Sequence, residues 1–252
     1  MQLTLDGLIV KAKNIGEFDR LLVLLTADRG LVTAYAKNVR KRMGATAAAT
    51  ELLSYSHFVL FQSRGKTFVD KAEPNRIFFG IRQDVGSLSL ATYFCQLTQE
   101  LVSNDEPAEM SLRLLLNALH LLEAAPDRAA LLKAVVELRL LCLGGYMPDL
   151  TACAACGEAL EQKALFLPRE GVAFCSADCL PGGKEAEELP PAVLAAMRHI
   201  VYSPLKRLFS FRLSDSALNR LGQVCESYLL AQVERVLPAL NFYHSVCGPS
   251  PA

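Results

Sequence analysis

The sequence predicts an α+β chain: an N-terminal OB-type β-barrel, then an α-helical domain with an inserted four-cysteine zinc knuckle. Three observations predict it. Short runs rich in Val, Thr, Tyr and Phe, separated by turn residues, fill residues 7–73. From residue 84 the apolar period changes from two to about 3.6. Four cysteines in two close pairs then interrupt the helical pattern between about 150 and 182. The expected domains are 1–80 and 81–252.

The barrel elements follow in order. GLIVKAK (7–13), RLLVLLT (20–26), LVTAYAK (31–37), SHFVLFQ (56–62) and TFVDKAE (67–73) read as five strands. Asn14-Ile15-Gly16, Ala27-Asp28-Arg29-Gly30 and Ser63-Arg64-Gly65-Lys66 read as turns between them. Five strands in this length suit an OB barrel, and an SH3-like barrel has the same pattern. Alternation places at least half of Tyr35, Phe58, Phe61 and Phe68 in the core.

The connection after the third strand is basic. Lys37, Arg40, Lys41 and Arg42 put four cations in six residues, followed by the small residues Ala45 to Thr50. This predicts a mobile basic loop whose self-repulsion an anionic partner relieves. With Lys11, Lys13, Arg20, Arg64 and Lys66 it forms a candidate track for DNA phosphates. A solvated loop is the plain alternative. Residues 1–80 hold 12 Lys and Arg against 7 Asp and Glu, and the remainder 14 against 19, so the halves differ in sign although the chain sums to zero.

In the second part, Leu88, Ala91, Phe94, Cys95, Thr98 and Leu101 keep helical spacing. Asp105 and Asp127 are expected to cap helices reaching Ala124 and Leu143, with Gly144-Gly145 as the stop. Pro190-Pro191 opens a helix to about Tyr202, and Ser214 starts the last long one.

Cys153 and Cys156 are spaced C-x2-C, and Cys175 and Cys179 C-x3-C, with 18 residues between the pairs. Each pair can form a knuckle aiming two sulfurs at one tetrahedral ion. Gly157 stands where such a knuckle takes positive φ, and Phe166 and Phe174 can pack beside the site. Zn²⁺ fits best as a structural ion with no open position, and disulfides, an iron–sulfur cluster or a redox pair are the alternatives. Cys95, Cys142 and Cys225 read as buried inert thiols and Cys247 as exposed.

Other chemistry is hard to find. There is no Gly-rich phosphate loop, no H-E-x-x-H and no G-x-S-x-G. Glu185, Glu187 and Glu188 read as a solvated face. MQLTLDGLIVKAK lacks the pattern of a secretory signal, and no run of 18 apolar residues occurs, so a cytoplasmic protein without membrane contact is expected.

The opening GLIVKAKNIGEFDRLLVLLTADRGLVTAYAKNVRK resembles the RecO family of bacterial recombinational DNA-repair proteins. LLCLGGYMPDLTACAACG, FLPREGVAFCSADC and SPLKRLFSFRLS are similar to later family motifs, in the family's order. Where many members carry Gly-x-Arg/Lys-x-x-x-Ser, this chain has Asn38 to Gly44, keeping the charge with different turn chemistry. The resemblance implies an OB fold, a helical domain and a four-cysteine zinc site. It implies a non-enzymatic mediator, nucleoid-associated, that binds single- and double-stranded DNA, anneals complementary strands and assists RecA loading. It further implies contacts with RecR and with the acidic tail of single-stranded-DNA-binding protein, for which Lys206 and Arg207 are candidates. A zinc-stabilised adaptor binding only proteins is the main rival, and a thiol oxidoreductase or nuclease a third reading.

Overall fold

A computed structural model describes residues 2–41 and 44–248. Arg42 of the basic set lies outside the described residues. The chain forms two compact units, Met1–Pro126 and Asp127–Ala252.

The first unit is built on a closed five-stranded barrel, ordered β1-β2-β3-β5-β4. Its strands are β1 (Gln2–Ile15), β2 (Asp19–Thr26), β3 (Gly30–Ala36), β4 (Ser54–Ser63) and β5 (Lys66–Ile77). All neighbours are antiparallel except β3 and β5, which are parallel and joined at one pair, Tyr35 opposite Phe68. Ile9, Leu22, Leu24, Ala34, Phe58 and Leu60 fill the interior. Burying each such large side chain stabilises the fold by roughly 1.5–3 kcal/mol.

Where its charges predict a mobile loop, the described part of the segment after β3 is folded against the barrel. Residues Val39–Lys41 form a 3-10 turn, and Ala45–Ala48 form a short helix, α1. The backbone of Asn38 donates to Asp19 Oδ1 at 2.8 Å and that of Arg40 to the Phe18 carbonyl at 3.1 Å. Val39 and Ala49 are buried in the barrel core. These two residues anchor the segment on the barrel, and repulsion among a few exposed cations is too weak to undo that burial.

Two helices complete this unit, α2 (Val85–Leu101) and α3 (Glu109–Ala124). The Asp84 carboxylate caps α2, accepting from the Ser87 backbone at 2.7 Å. α2 lies against β1, and α3 against β2 and α2. A bulge at Val10 lets Leu8, Ile9 and Val10 all be buried, with Ile9 in the barrel core. The Gln99 amide of α2 donates to the Val10 carbonyl at 3.1 Å. Asp105 does not cap α3. It sits at φ 62 in the preceding loop, and Ala108 occupies the cap position. The segment expected to begin the second domain at residue 81 thus contributes both these helices to the barrel's unit.

The second unit packs α4 (Ala129–Leu143), α5 (Pro191–Tyr202) and α6 (Asp215–Val233) against one another. α7 (Pro238–Cys247) follows, a helix that the sequence reading did not assign. Asp127 lies in a 3-10 turn, Pro126–Arg128, instead of capping α4. Ser214 does cap α6, accepting from the Ala217 backbone at 3.4 Å. A small sheet, ordered β7-β6-β8, joins the cysteine segment to the helices; its strands are β6 (Ala164–Leu167), β7 (Val172–Phe174) and β8 (Glu187–Leu189).

An ion cluster lies inside this unit. Lys133 Nζ sits 2.8 Å from Glu137 and 2.6 Å from Glu226, and His244 Nε2 is 3.0 Å from the same Glu226 oxygen. Burial alone would push the Lys133 pKa down. Glu137 and Glu226 outweigh it and raise that pKa above the ordinary lysine value. No helix of the described residues is long and apolar enough to cross a membrane.

Candidate nucleic-acid surface and metal centre

The barrel carries an aromatic strip on its outside. In β4 the even positions Ser54, Ser56, Phe58 and Leu60 point inward, so Phe61 points out. In β5, Val59 faces Lys71 while Leu60 faces Val69, which leaves Asp70 as a bulge. Ala72 and Val69 both pack on the barrel core, three residues apart. The bulge has moved the phase by one, and Phe68 turns outward to lie beside Phe61. Tyr35 of β3 lies outside between the inward Ala34 and Ala36. Of the four aromatics, only Phe58 is core, because the bulge reverses the face that simple alternation assigns to Phe68.

The three outer rings form a continuous group. Phe61 and Phe68 are 5.4 Å apart with planes 22° from parallel, and Tyr35 is 5.7 Å from Phe68. Phe61 is 41% exposed. Lys37 Nζ stands 4.7 Å over the Phe68 ring and Lys66 Nζ 5.2 Å over Tyr35. Arg64 sits at the tip of the β4–β5 hairpin, where Arg64 and Gly65 both take positive φ (49° and 73°). That is the hairpin turn compatible with strand twist, and it costs Arg64 about 1 kcal/mol of backbone strain.

The other cations divide. Lys41 Nζ lies 3.9 Å over the Phe18 ring, and the Arg40 guanidinium donates to the Glu17 carbonyl at 2.9 Å. Both residues are exposed at the turn between β1 and β2. Lys11 and Lys13 are exposed on β1. Arg20 differs from the rest. Its guanidinium pairs with Glu51 at 2.7 Å and donates to the Thr50 carbonyl at 3.3 Å, with the side chain only 15% exposed. It clamps the segment after α1. Sequence reasoning passed over Phe18 and Asp19, which hold the basic turn in place; their position in the Gly-Glu-x-Asp-Arg turn was the only available signal.

The four cysteine sulfurs of the second unit converge, all within 4.8 Å of one another. Cys175 lies 3.5 Å from Cys179 and 3.7 Å from Cys156, sulfur to sulfur. A tetrahedral metal–thiolate centre with bonds of about 2.3 Å has sulfur–sulfur edges of about 3.8 Å, so the set fits one ion. The first knuckle turns through Gly157 at φ 77, whose N–H donates to the Cys153 carbonyl at 2.9 Å. Ala154 donates to the Ala173 carbonyl of β7 at 2.9 Å, bringing the two pairs together. The second knuckle is the 3-10 turn Ala177–Cys179.

Backbone N–H groups, that of Cys156 first, bring the Cys153 thiol down to about 6. The neighbouring sulfurs, Cys179 first, push Cys175 up to about 12. Four thiolates so close repel one another, and a divalent cation among them removes that repulsion. Phe166 is fully buried, edge-on to Tyr228 at 5.3 Å, and Phe174 is 5% exposed. The knuckle segment is fastened to α5 by Arg198, which donates to the Leu150 carbonyl at 2.6 and 2.8 Å and to that of Leu160 at 2.6 Å. Cys95 and Cys225 are buried, with thiols raised by desolvation, while Cys142 is partly buried and Cys247 exposed.

Lys206 and Arg207 are exposed on the turn after α5, and neither forms an ion pair among the described residues. A groove of about 460 Å³ lies just beyond, its lining including Leu131, Phe211 and Leu218, the cations Arg128 and Arg212 and the carboxylate of Asp127.

Two family models match this chain in sequence: "Recombination protein O N terminal" over residues 1–78 and "Recombination protein O C terminal" over 82–241. Curated relatives named "DNA repair protein RecO" match almost end to end. That of Acetivibrio thermocellus is 31% identical over 94% of this chain and 94% of its own. That of Symbiobacterium thermophilum is 33% identical, again over 94% of each. One from Anaeromyxobacter dehalogenans is 32% identical over 97% of this chain and 96% of its own.

Proposed function

The chain belongs to the RecO family of DNA repair proteins, and we propose that it acts as a DNA-binding mediator of recombinational repair with no catalytic step of its own. The observation that carries this reading is the outer strip of half-buried Tyr35 and Phe68 and exposed Phe61 beside Lys37, Lys66 and Arg64. Stacking rings hold unpaired bases without regard to sequence, and cations hold the phosphates between them.

In this reading residues 1–80 carry the DNA-binding surface, within the unit that ends at Pro126, and the helical part from 81 to 252 carries the metal insertion. Arg40 and Lys41 extend the phosphate track past the β1–β2 turn, Lys11 and Lys13 carry it along β1, and Arg42, which lies outside the described residues, is assigned to DNA by its charge alone. Arg20 supports the track from beneath. Charge screening on this face lets a second, complementary strand approach the first, which is annealing. Duplex DNA binds through the same cations without the stacking. Zn²⁺ is the ion we assign to Cys153, Cys156, Cys175 and Cys179, where it would cross-link the two knuckles and so brace the second unit.

RecR and the tail of single-stranded-DNA-binding protein are the proposed partners, with RecA served indirectly, in the cytoplasm at the nucleoid. Lys206 and Arg207 offer cations to an acidic tail, and the neighbouring groove at Phe211 offers an apolar seat. The test is fluorescence anisotropy of a labelled mixed-sequence single strand at three salt concentrations. Affinity should fall steeply with salt. No binding at low salt would leave the protein-only adaptor as the better reading.

A further inference from the structure

β3 and β5 form a single ladder pair, and a cavity of about 300 Å³ opens beside it. Val32, Thr33 and Thr67, just before the paired Tyr35 and Phe68, line it. Leu3, Leu31 and Leu60 supply apolar lining, and Phe61 belongs both to the cavity and to the aromatic strip. Gln62, Asn104, Asp105 and Arg29 also line it, and all four are exposed.

The wall containing Asn104 and Asp105 is the loop between α2 and α3, held flush on the β2–β3 hairpin. Leu31 N donates to the Ser103 carbonyl at 3.2 Å, Asp105 N to Arg29 at 3.1 Å and Ala108 N to Ala27 at 2.7 Å. Gly30 lies under this loop at φ 55. A Cβ there would stand 2.2 Å from the Ser103 carbonyl oxygen and 2.7 Å from that of Glu106. The close approach that makes the wall therefore requires glycine.

We infer that this cavity receives one unpaired nucleobase from the strand lying on the aromatic strip, preferring bases with an exocyclic amine. The inference rests on the reading of the barrel as a DNA surface. A base leaving the strip at Phe61 enters directly, since that ring borders both. The amides of Gln62 and Asn104 each present a donor and an acceptor, the complement of a base edge. The Asp105 carboxylate accepts only, which favours the amino group of cytosine or adenine over thymine. It also repels phosphate, so the sugar–phosphate runs past Arg29. The apolar lining takes the face of the ring. The volume is at the small end for ligand sites, room for one base and not for a stack. A base paired in a duplex has its edge occupied, so the cavity adds selection for single strands.

The test compares binding of 12-residue oligomers of dC and of dT by the full chain. Each base-edge hydrogen bond lost costs roughly fivefold in affinity. The wild-type protein should favour dC by at least that factor. Asp105→Asn, combined with Gln62→Ala and Asn104→Ala, removes the acceptor-only carboxylate and should bring the ratio close to one, leaving the salt dependence of both oligomers unchanged. Thr33→Phe, which fills the cavity instead of stripping its polar groups, should do the same. A ratio that these variants leave unaltered, or no preference in the wild type, overturns the cavity assignment while salt-dependent binding preserves the DNA surface. Failure to bind either oligomer at low salt removes both. Micromolar binding of free deoxycytidine would overturn it differently, assigning the cavity to a soluble nucleoside.

Discussion

Phe61 and Phe68 face each other across β4 and β5 on the outside of the barrel, ring centres 5.4 Å apart. Neither packs on the interior. Two stacked phenylalanines on a solvated sheet face leave apolar surface open to water, which a flat aromatic ligand would cover. Phe61→Ala and Phe68→Ala should each weaken single-strand binding by about 1–3 kcal/mol. Binding to duplex should change little, and the salt slope should stay the same. Equal losses on single and double strands would show that the rings support the fold instead of the bases.

The cations should give the opposite signature. Each phosphate contact on a single strand contributes about 0.7 to the slope of log affinity against log salt. Arg40→Ala, Lys41→Ala and Arg42→Ala together should lower it by about 2, and Lys37→Ala with Lys66→Ala by about 1.4. Arg20→Ala should leave the slope alone and lower the melting temperature, since Arg20 is paired with Glu51. Salt-titrated anisotropy with thermal melts separates these outcomes.

Cys175→Ser should abolish stoichiometric metal, measured by elemental analysis, and destabilise the second unit. Chelation of the wild-type protein should do likewise, more readily as pH falls, because protons compete with the ion for thiolates. Full metal content in the Cys175→Ser variant would refute the four-cysteine centre.

Lys133→Met should cost about 3–5 kcal/mol, because it strands the buried Glu137 charge. Adding Glu137→Leu should return much of that loss, read as the midpoint of denaturant unfolding. A double variant no more stable than the single would mean that the lysine stem, rather than the ion pair, matters.

The contrast between the two candidate sites follows from how each is encoded. The cysteine centre was legible because its geometry is local: two short spacings and a turn glycine make each knuckle, and β6 with β7 only has to fold back. The strands were legible from their alternation. The outward face of Phe68 was not, because one extra residue at Asp70 reverses the phase and nothing in the local composition marks it. Ala45 to Ala49 read as part of a mobile loop because small residues carry little hydrophobic signal; of them only Ala49 reaches the barrel core. α7 was hidden by the prolines and glycine around it. Asp105 has the residue type of a helix cap, but its backbone is committed to the hairpin at Arg29.

That commitment decides where the chain can be divided without loss. A gene fragment ending near residue 80 would look like a whole barrel by strand count. It would lack Ser103, Asp105 and Ala108, the backbone partners of the β2–β3 hairpin, and would bare Leu8 and Val10 of β1 to solvent. A piece ending at Pro126 keeps these partners together with α2 and α3. In recombination between related genes, a breakpoint at 126 would trade the barrel intact, while one at 80 would trade it without its cover.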